Sequence, residues 1–324
     1  MALASYSALN ASTLGRLREF ANLYQRHARD IPEQVRVLTE RLSEVRQNLE
    51  EALGHPVCGL RMLEIGPGQR QRQQAYFTAC GNDVLGVDLD VIPQTPAQYL
   101  EMLQKNGGVR TLKTIGRKML GLDSAYQREL CKQLGADRLT QLPVRQMDAT
   151  RLNFEDDSFD VVYSFSAFEH FPDPEAALAE VARVLRPGGA AYIALHLYTS
   201  ESGIHDPRIF SGNRAELPFW AHLRPQHAHL VDPNAYLNKL RLREWEELFA
   251  HHFPHARLLR YEHDRSWQAA EVAKLRAQGE LEEYSDEELL TVDLCALWVK
   301  PGASAELPVA KPSEPAFHTP VKAA

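Results

Sequence analysis

The sequence predicts an α/β protein built on a doubly wound, mostly parallel sheet. Three observations carry the prediction. Arg61 to Ile65 is a short apolar run that opens directly into Gly66-Pro67-Gly68. A second run, Asp83 to Val87, ends in the acids Asp88 and Asp90. Further apolar runs of strand length then alternate with helix-compatible stretches, the pattern of a sheet covered on both faces.

The first unit sets the chemistry. Leu63 and Ile65 continue the buried strand, and Gly66 and Gly68 let the backbone bend and approach a ligand without a Cβ in the way. Strand, glycine turn and helix together form a ligand-binding corner of such folds. A dinucleotide site wants a third glycine three residues after the second, and Gln71 stands there instead. Glu64 lies two residues before the first glycine. A carboxylate there suits a cationic ligand and fits a pyrophosphate poorly.

Composition narrows the class. The chain has 324 residues, 44% hydrophobic and 24% charged, enough for one large core with additions. A net charge of −7 and a pI near 6.0 argue against general nucleic-acid binding. No apolar run approaches the roughly 20 residues of a membrane span, and Met1 to Asn10 lacks the pattern of a secretory leader. Cys58, Cys80, Cys131 and Cys295 are widely spaced, as expected of free thiols in a reducing cytoplasm.

Residues 1–56 are expected to form a helical cap. One helix is expected from Ser12 or Thr13 to about Arg29, and a second begins at Pro32, a favourable first-turn position. In the second, Val35, Leu38, Leu42, Val45, Leu49 and Leu53 make one apolar stripe. The stripe fits a helix packed on the sheet, a homodimer contact, or a lid.

Leu63-Glu64-Ile65-Gly66-Pro67-Gly68 resembles the first motif of the class I S-adenosylmethionine-dependent methyltransferases. Family members usually carry another glycine where this chain has Arg70. Asp148-Ala149 and the stretch Leu152 to Ser164, with Asp157-Ser158-Phe159-Asp160-Val161-Val162, are similar to the type-11 small-molecule group. Arg186-Pro187-Gly188-Gly189 is a further station in the same order. The resemblance implies a seven-stranded Rossmann-like sheet over residues 57–300, with its last strand, near Val292 to Val299, antiparallel between strands five and six. It implies S-adenosylmethionine as cofactor, held by Glu64, Gly66, Pro67, Gly68, Asp88, Leu89, Asp148, Ala149 and Phe165. Asp88 would accept from both ribose hydroxyls, while Asp148 and the Ala149 N–H would read the adenine edge.

Two insertions depart from the plain fold. Residues 91–142 hold one helix expected to stop at Gly107-Gly108 and another expected from Asp123 or Ser124 to Gly135. The basic group Arg110, Lys113, Arg117 and Lys118 lies between them, a solvated face or an anion contact. Residues 198–240 are irregular and rich in His, Arg and aromatic residues, which suits a specificity loop. Their histidines lack the two-on-one-helix spacing of a zinc enzyme and no cysteine joins them, so no metal is expected. A helix from Arg243 to Phe253, a sixth strand from Ala256 to His263 and a polar helical stretch from Ser266 to Leu290 follow, and residues 301–324 read as a disordered tail.

The expected activity is methyl transfer to a small molecule. A hydroxyl acceptor needs a base, and His170, after an expected fourth strand from Phe159 to Tyr163, and His196, at the tip of an expected fifth from Ala190 to Leu197, are the first candidates, with His205 and His222 behind them. An amine acceptor, a nicotinamide-dependent reductase, an aminopropyl transferase and a non-catalytic cofactor-binding protein are the alternatives.

Overall fold

The computed structural model describes residues 30–90, 93, 96–119, 121–136, 142–211, 217–233, 235–262 and 265–302. The expected helix over Ser12 to Arg29 and the tail beyond residue 302 lie outside this range, as do the side chains of Arg110, Lys113, Arg117 and Lys118.

In chain order the strands are β1 (Arg61–Ile65), β2 (Asp83–Asp88), β3 (Val144–Gln146), β4 (Phe159–Phe165), β5 (Leu185–His196), β6 (Arg257–Glu262) and β7 (Thr291–Val299). They form a seven-stranded sheet in the order β3-β2-β1-β4-β5-β7-β6. β1, β2 and β3 pair in parallel, and β7 runs antiparallel to both β5 and β6. The expected late insertion of the last strand is therefore observed. The chain divides into two compact units, residues 1–153 with 159–162, and residues 154–158 with 163–324.

The first unit carries helices α1 (Ile31–Leu53), α2 (Arg72–Ala79), α3 (Pro96–Met119) and α4 (Leu122–Leu134). α1 starts with proline in its first turn and ends on Gly54 in the left-handed region. Val35, Leu42, Val45 and Leu49 of its stripe are buried, because α1 packs on α4 and α2. Gln133 Nε2 donates to the Pro32 carbonyl (3.0 Å), and the Arg72 guanidinium lies 4.6 Å over the Tyr126 ring. The N-terminal cap and the first insertion thus bury each other's apolar faces.

One expectation in this unit holds and one is corrected. The helix from Pro96 breaks at Gly107, as expected, where φ 77° and ψ 166° leave helical geometry, and a further helical segment runs on to Met119. Glycine makes that break without a Cβ penalty, and a second helical segment starts beyond it. The next helix begins at Leu122, with Gly121 at its N-cap, rather than at Asp123 or Ser124.

The second unit carries α5 (Pro174–Val184), α6 (Pro207–Ser211), α7 (Leu242–His252), α8 (Arg265–Arg276) and α9 (Asp286–Leu290). Asp173 caps α5, its carboxylate accepting from Ala176 N–H (2.9 Å). The polar stretch read as one helical segment from Ser266 to Leu290 is two helices, the second capped by Ser285, whose hydroxyl accepts from Glu288 N–H. The Arg186-Pro187-Gly188-Gly189 turn lies inside β5, because Gly188 N–H donates to Lys300 O (2.7 Å) and Lys300 N–H to Gly189 O (2.9 Å). That pairing reaches across more than a hundred residues of chain, which local sequence does not show. Phe249, Phe253 and Trp298 stack in series, and Trp220, Leu223, Val272, Leu275 and Leu289 form a second apolar cluster. Among the described residues no helix is long and apolar enough to cross a membrane.

Candidate active site

In the first unit the glycine turn closes β1 onto β2. Gly66 and Gly68 have φ of 74° and 60°, where a side chain is disfavoured. Gly66 N–H donates to Val87 O (2.9 Å), and Gly68 N–H donates to Asp88 Oδ2 (3.1 Å). The other Asp88 oxygen accepts from Asp90 N–H (2.9 Å). Asp88 therefore shapes the turn it faces. Glu64 is buried in β1 opposite Gly86.

Pro67 is pinned by its neighbour strand. A Cβ on Gly86 would stand 2.9 Å from Pro67 Cγ and 3.0 Å from Val144 Cγ2. A Cβ on Gly68, by contrast, would meet nothing within 4 Å, so the turn borders open space there. Gln71, in the place of a third glycine, adopts φ 48° and donates through Nε2 to Leu142 O (2.9 Å) and Gln74 Oε1 (3.1 Å). Its amide ties the turn to the strand-three side, work that a glycine cannot do. Arg70 is exposed.

Asp148 and Ala149 follow β3, and Met147 N–H donates to Asp88 O (3.1 Å), so these residues neighbour Asp88 and Leu89. Asp148 Oδ1 accepts from Thr150 N–H (2.9 Å) and Oγ–H (2.8 Å). The residues expected from sequence to hold an adenosyl ligand all belong to this unit, Phe165 excepted. An open glycine turn flanked by carboxylates fits a cationic adenosyl ligand.

Phe165 belongs to the second unit, where its ring packs 5.6 Å from Tyr192. This unit also gathers three of the four candidate histidines. A 3-10 turn, Phe168–His170, follows β4 and is held by Asn238, whose Nδ2 donates to Phe168 O (2.9 Å) and Phe171 O (3.2 Å). His170 Nδ1–H donates to Tyr236 O (2.7 Å). The His205 ring lies edge-on to His170 and to His196, 5.0 Å from each. His205 itself has φ 56°, a backbone state a non-glycine residue adopts at a cost.

His196 is the best-oriented of the three. Its Nδ1–H donates to Asp293 Oδ1 (3.2 Å), and its Nε2 accepts from Ser202 Oγ (2.9 Å). Its backbone N–H donates to Glu169 Oε1 (3.3 Å). Glu169 is 2% exposed and its Oε2 is buried with no hydrogen-bond partner. Burial pushes its carboxyl up to about 8, with nearby Asp293 adding to the rise and backbone N–H groups opposing it. Burial lowers His170, and it drives His205 down to about 3, helped by the two neighbouring histidines.

His222 stands elsewhere in the unit. Its Nε2–H donates to Tyr198 O (2.8 Å), its Nδ1 is buried without a partner, and burial lowers it to about 4. The fold thus groups His170, His196 and His205 and leaves His222 out of the cluster. Two residues not singled out from the sequence join them, Asp293 and Ser202. A lone acid inside the apolar run of Thr291–Val299 was the available signal for Asp293.

Residues 103–193 match the family model described as a methyltransferase domain. The chain is 36% identical to a phosphatidylethanolamine N-methyltransferase of Cereibacter sphaeroides over 133 residues, 41% of this chain and 60% of that one. Over these stretches the chain is similar to methyltransferases. The methyltransferase GfsG of Streptomyces halstedii is 31% identical over 130 residues, 39% of this chain and 43% of that one. A phthiotriol/phenolphthiotriol dimycocerosates methyltransferase of Mycobacterium tuberculosis is 41% identical over 97 residues, 28% of this chain and 35% of that one. The aligned part is under two thirds of each relative's length. Among solved structures, an arsenic(III) S-adenosylmethionine methyltransferase from Chlamydomonas reinhardtii aligns with TM-score 0.40 at 23% identity, covering 77% of this chain and 66% of that one. The family match contains Asp148, Ala149, Phe165 and His170, while the glycine turn, Asp88, His196, His205 and His222 lie outside it.

Proposed function

We propose that this chain transfers the methyl group of S-adenosylmethionine to a hydroxyl of a small molecule, with His196 taking the proton. The sulfonium is already activated, so the first unit's task is to bind it. Glu64, the Gly66–Gly68 turn, Asp88, Asp148 and Ala149 are the residues assigned to that role. The methyl passes to the acceptor oxygen as its proton leaves, and the cofactor departs as S-adenosylhomocysteine.

The observation that carries the reading is the Asp293–His196–Ser202 line. A carboxylate on Nδ1 holds the ring in one tautomer and leaves Nε2 as the basic atom. An acceptor hydroxyl would take the place of Ser202 Oγ at Nε2. His170, with Nδ1–H committed to a carbonyl, and His205, wedged between two histidines, are less suited.

A second reading has support of its own, because one relative is named an N-methyltransferase. A neutral amine needs no base to attack. The test is single-turnover methyl transfer to matched hydroxyl and amine acceptors by wild type and His196→Ala. Loss of hydroxyl methylation with amine methylation intact supports the first reading. Equal rates of both enzymes on a hydroxyl acceptor overturn it, and failure to bind the cofactor at all overturns both.

A further inference from the structure

Glu169, His170 and His205 each offer one ligand atom, and those three atoms lie within 4.8 Å of one another. Two imidazoles and a carboxylate are the donor set of reactive zinc, iron and manganese sites. A tetrahedral ion with bonds of about 2.0–2.2 Å brings its donors roughly 3.4 Å apart, a gap that small side-chain rotations close.

The donors are prepared for that role. The Glu169 Oε2 atom is buried and has no hydrogen-bond partner. A polar oxygen shut away from water without a partner is costly, and a cation would offset the cost. His170 donates Nδ1–H to the Tyr236 carbonyl, which fixes the tautomer and leaves Nε2 for a metal. Metal-bound histidines commonly carry such an outer partner. Asn238 clamps the turn bearing Glu169 and His170, its backbone N–H donating to Glu169 O (2.9 Å). The left-handed backbone of His205 turns its ring onto His170.

We propose that Glu169, His170 and His205 bind a divalent transition-metal ion of the zinc class. Three protein ligands leave coordination positions open to water or a substrate oxygen, as in a reactive rather than a structural site. His170 and His205 are then ligands and cannot also accept protons, which leaves His196 as the base. Spacing along the chain conceals the site, since two donors are neighbours on a turn and the third comes from the loop after β5. The proposal does not depend on methyl transfer, because metal uptake is read without cofactor or acceptor.

Full-length protein, stripped with a chelator, is titrated with Co²⁺ and Zn²⁺. The readouts are Co²⁺ visible absorption, calorimetry and metal content after gel filtration. The site binds one ion per chain, with the intense absorption of low-coordinate cobalt. His205→Ala and Glu169→Gln each weaken binding about a hundredfold or more. His251→Ala does not, which separates this site from the exposed group Glu175, His251 and His252. Circular dichroism establishes that each variant is folded, and His170→Gln replaces any that is not. Folded wild type that takes up neither ion at millimolar concentration overturns the proposal. So does binding that is lost in His251→Ala and kept in His205→Ala.

Discussion

His196 and Asp293 sit directly opposite one another in the β5–β7 register, and His196 Nδ1 lies 3.2 Å from Asp293 Oδ1. The pair exists because an antiparallel strand enters late and places its acid against the tip of β5. Asp293→Asn keeps the size and loses the charge that orients the ring. We expect methyl transfer to a hydroxyl to fall about 10- to 100-fold, and His196→Ala to cost about 10²- to 10⁴-fold. The double variant should be little worse than His196→Ala alone, since the two act as a unit. Single-turnover rates measure this, with cofactor affinity unchanged in all three.

Asp88 accepts Gly68 N–H with one oxygen and Asp90 N–H with the other. Asp88→Ala removes both acceptors and the charge. Hydrogen bonds to charged groups contribute about 1.5–3 kcal/mol, so cofactor affinity should weaken roughly 10- to 100-fold. Calorimetry with S-adenosylhomocysteine reports it, and an unchanged dissociation constant would remove Asp88 from the binding set.

Gly86→Ala tests the turn from behind. The added Cβ would meet Pro67 Cγ at 2.9 Å and Val144 Cγ2 at 3.0 Å. Proline is a rigid ring and cannot yield cheaply, so a loss of about 1–3 kcal/mol in stability is expected, with weakened cofactor binding. Gly68→Ala meets no atom but must hold φ 60°, at a cost of about 1–2 kcal/mol. Denaturant midpoints and calorimetry separate the two effects.

His222 supplies a pH prediction. Burial holds it near 4, against about 6.5 in the unfolded chain. The folded state therefore binds fewer protons than the unfolded one. Its contribution to stability is present above pH 6.5 and is lost as pH falls towards 4, by about 3 kcal/mol at most. Lys239, the nearby cation, lowers it further, and the Tyr198 carbonyl opposes the shift. His222→Gln keeps a donor for that carbonyl and removes the titration. Its urea midpoint should change less between pH 7 and pH 5 than that of wild type.

What was legible in the sequence was local. The β1 turn and the stripe Val35, Leu42, Val45 and Leu49 each follow from a few neighbouring residues. The placing of β7 came from the family resemblance, because nothing in Thr291–Val299 names its partners. Gly107 ends its helix as the local sequence suggests, whereas the helical segment from there to Met119 has no such local signal.

The order of residue types alone determined that a glycine turn faced by a carboxylate would form after β1, since its strand, glycines and acid are contiguous or nearly so. It also supplied the histidines, without saying which would meet. Only the fold decided that His170, His196 and His205 share one cluster with Glu169 and Asp293 while His222 bonds to Tyr198. Those contacts join residues far apart in the chain, and their geometry is set by strand register and turn conformation, which no short stretch of sequence encodes.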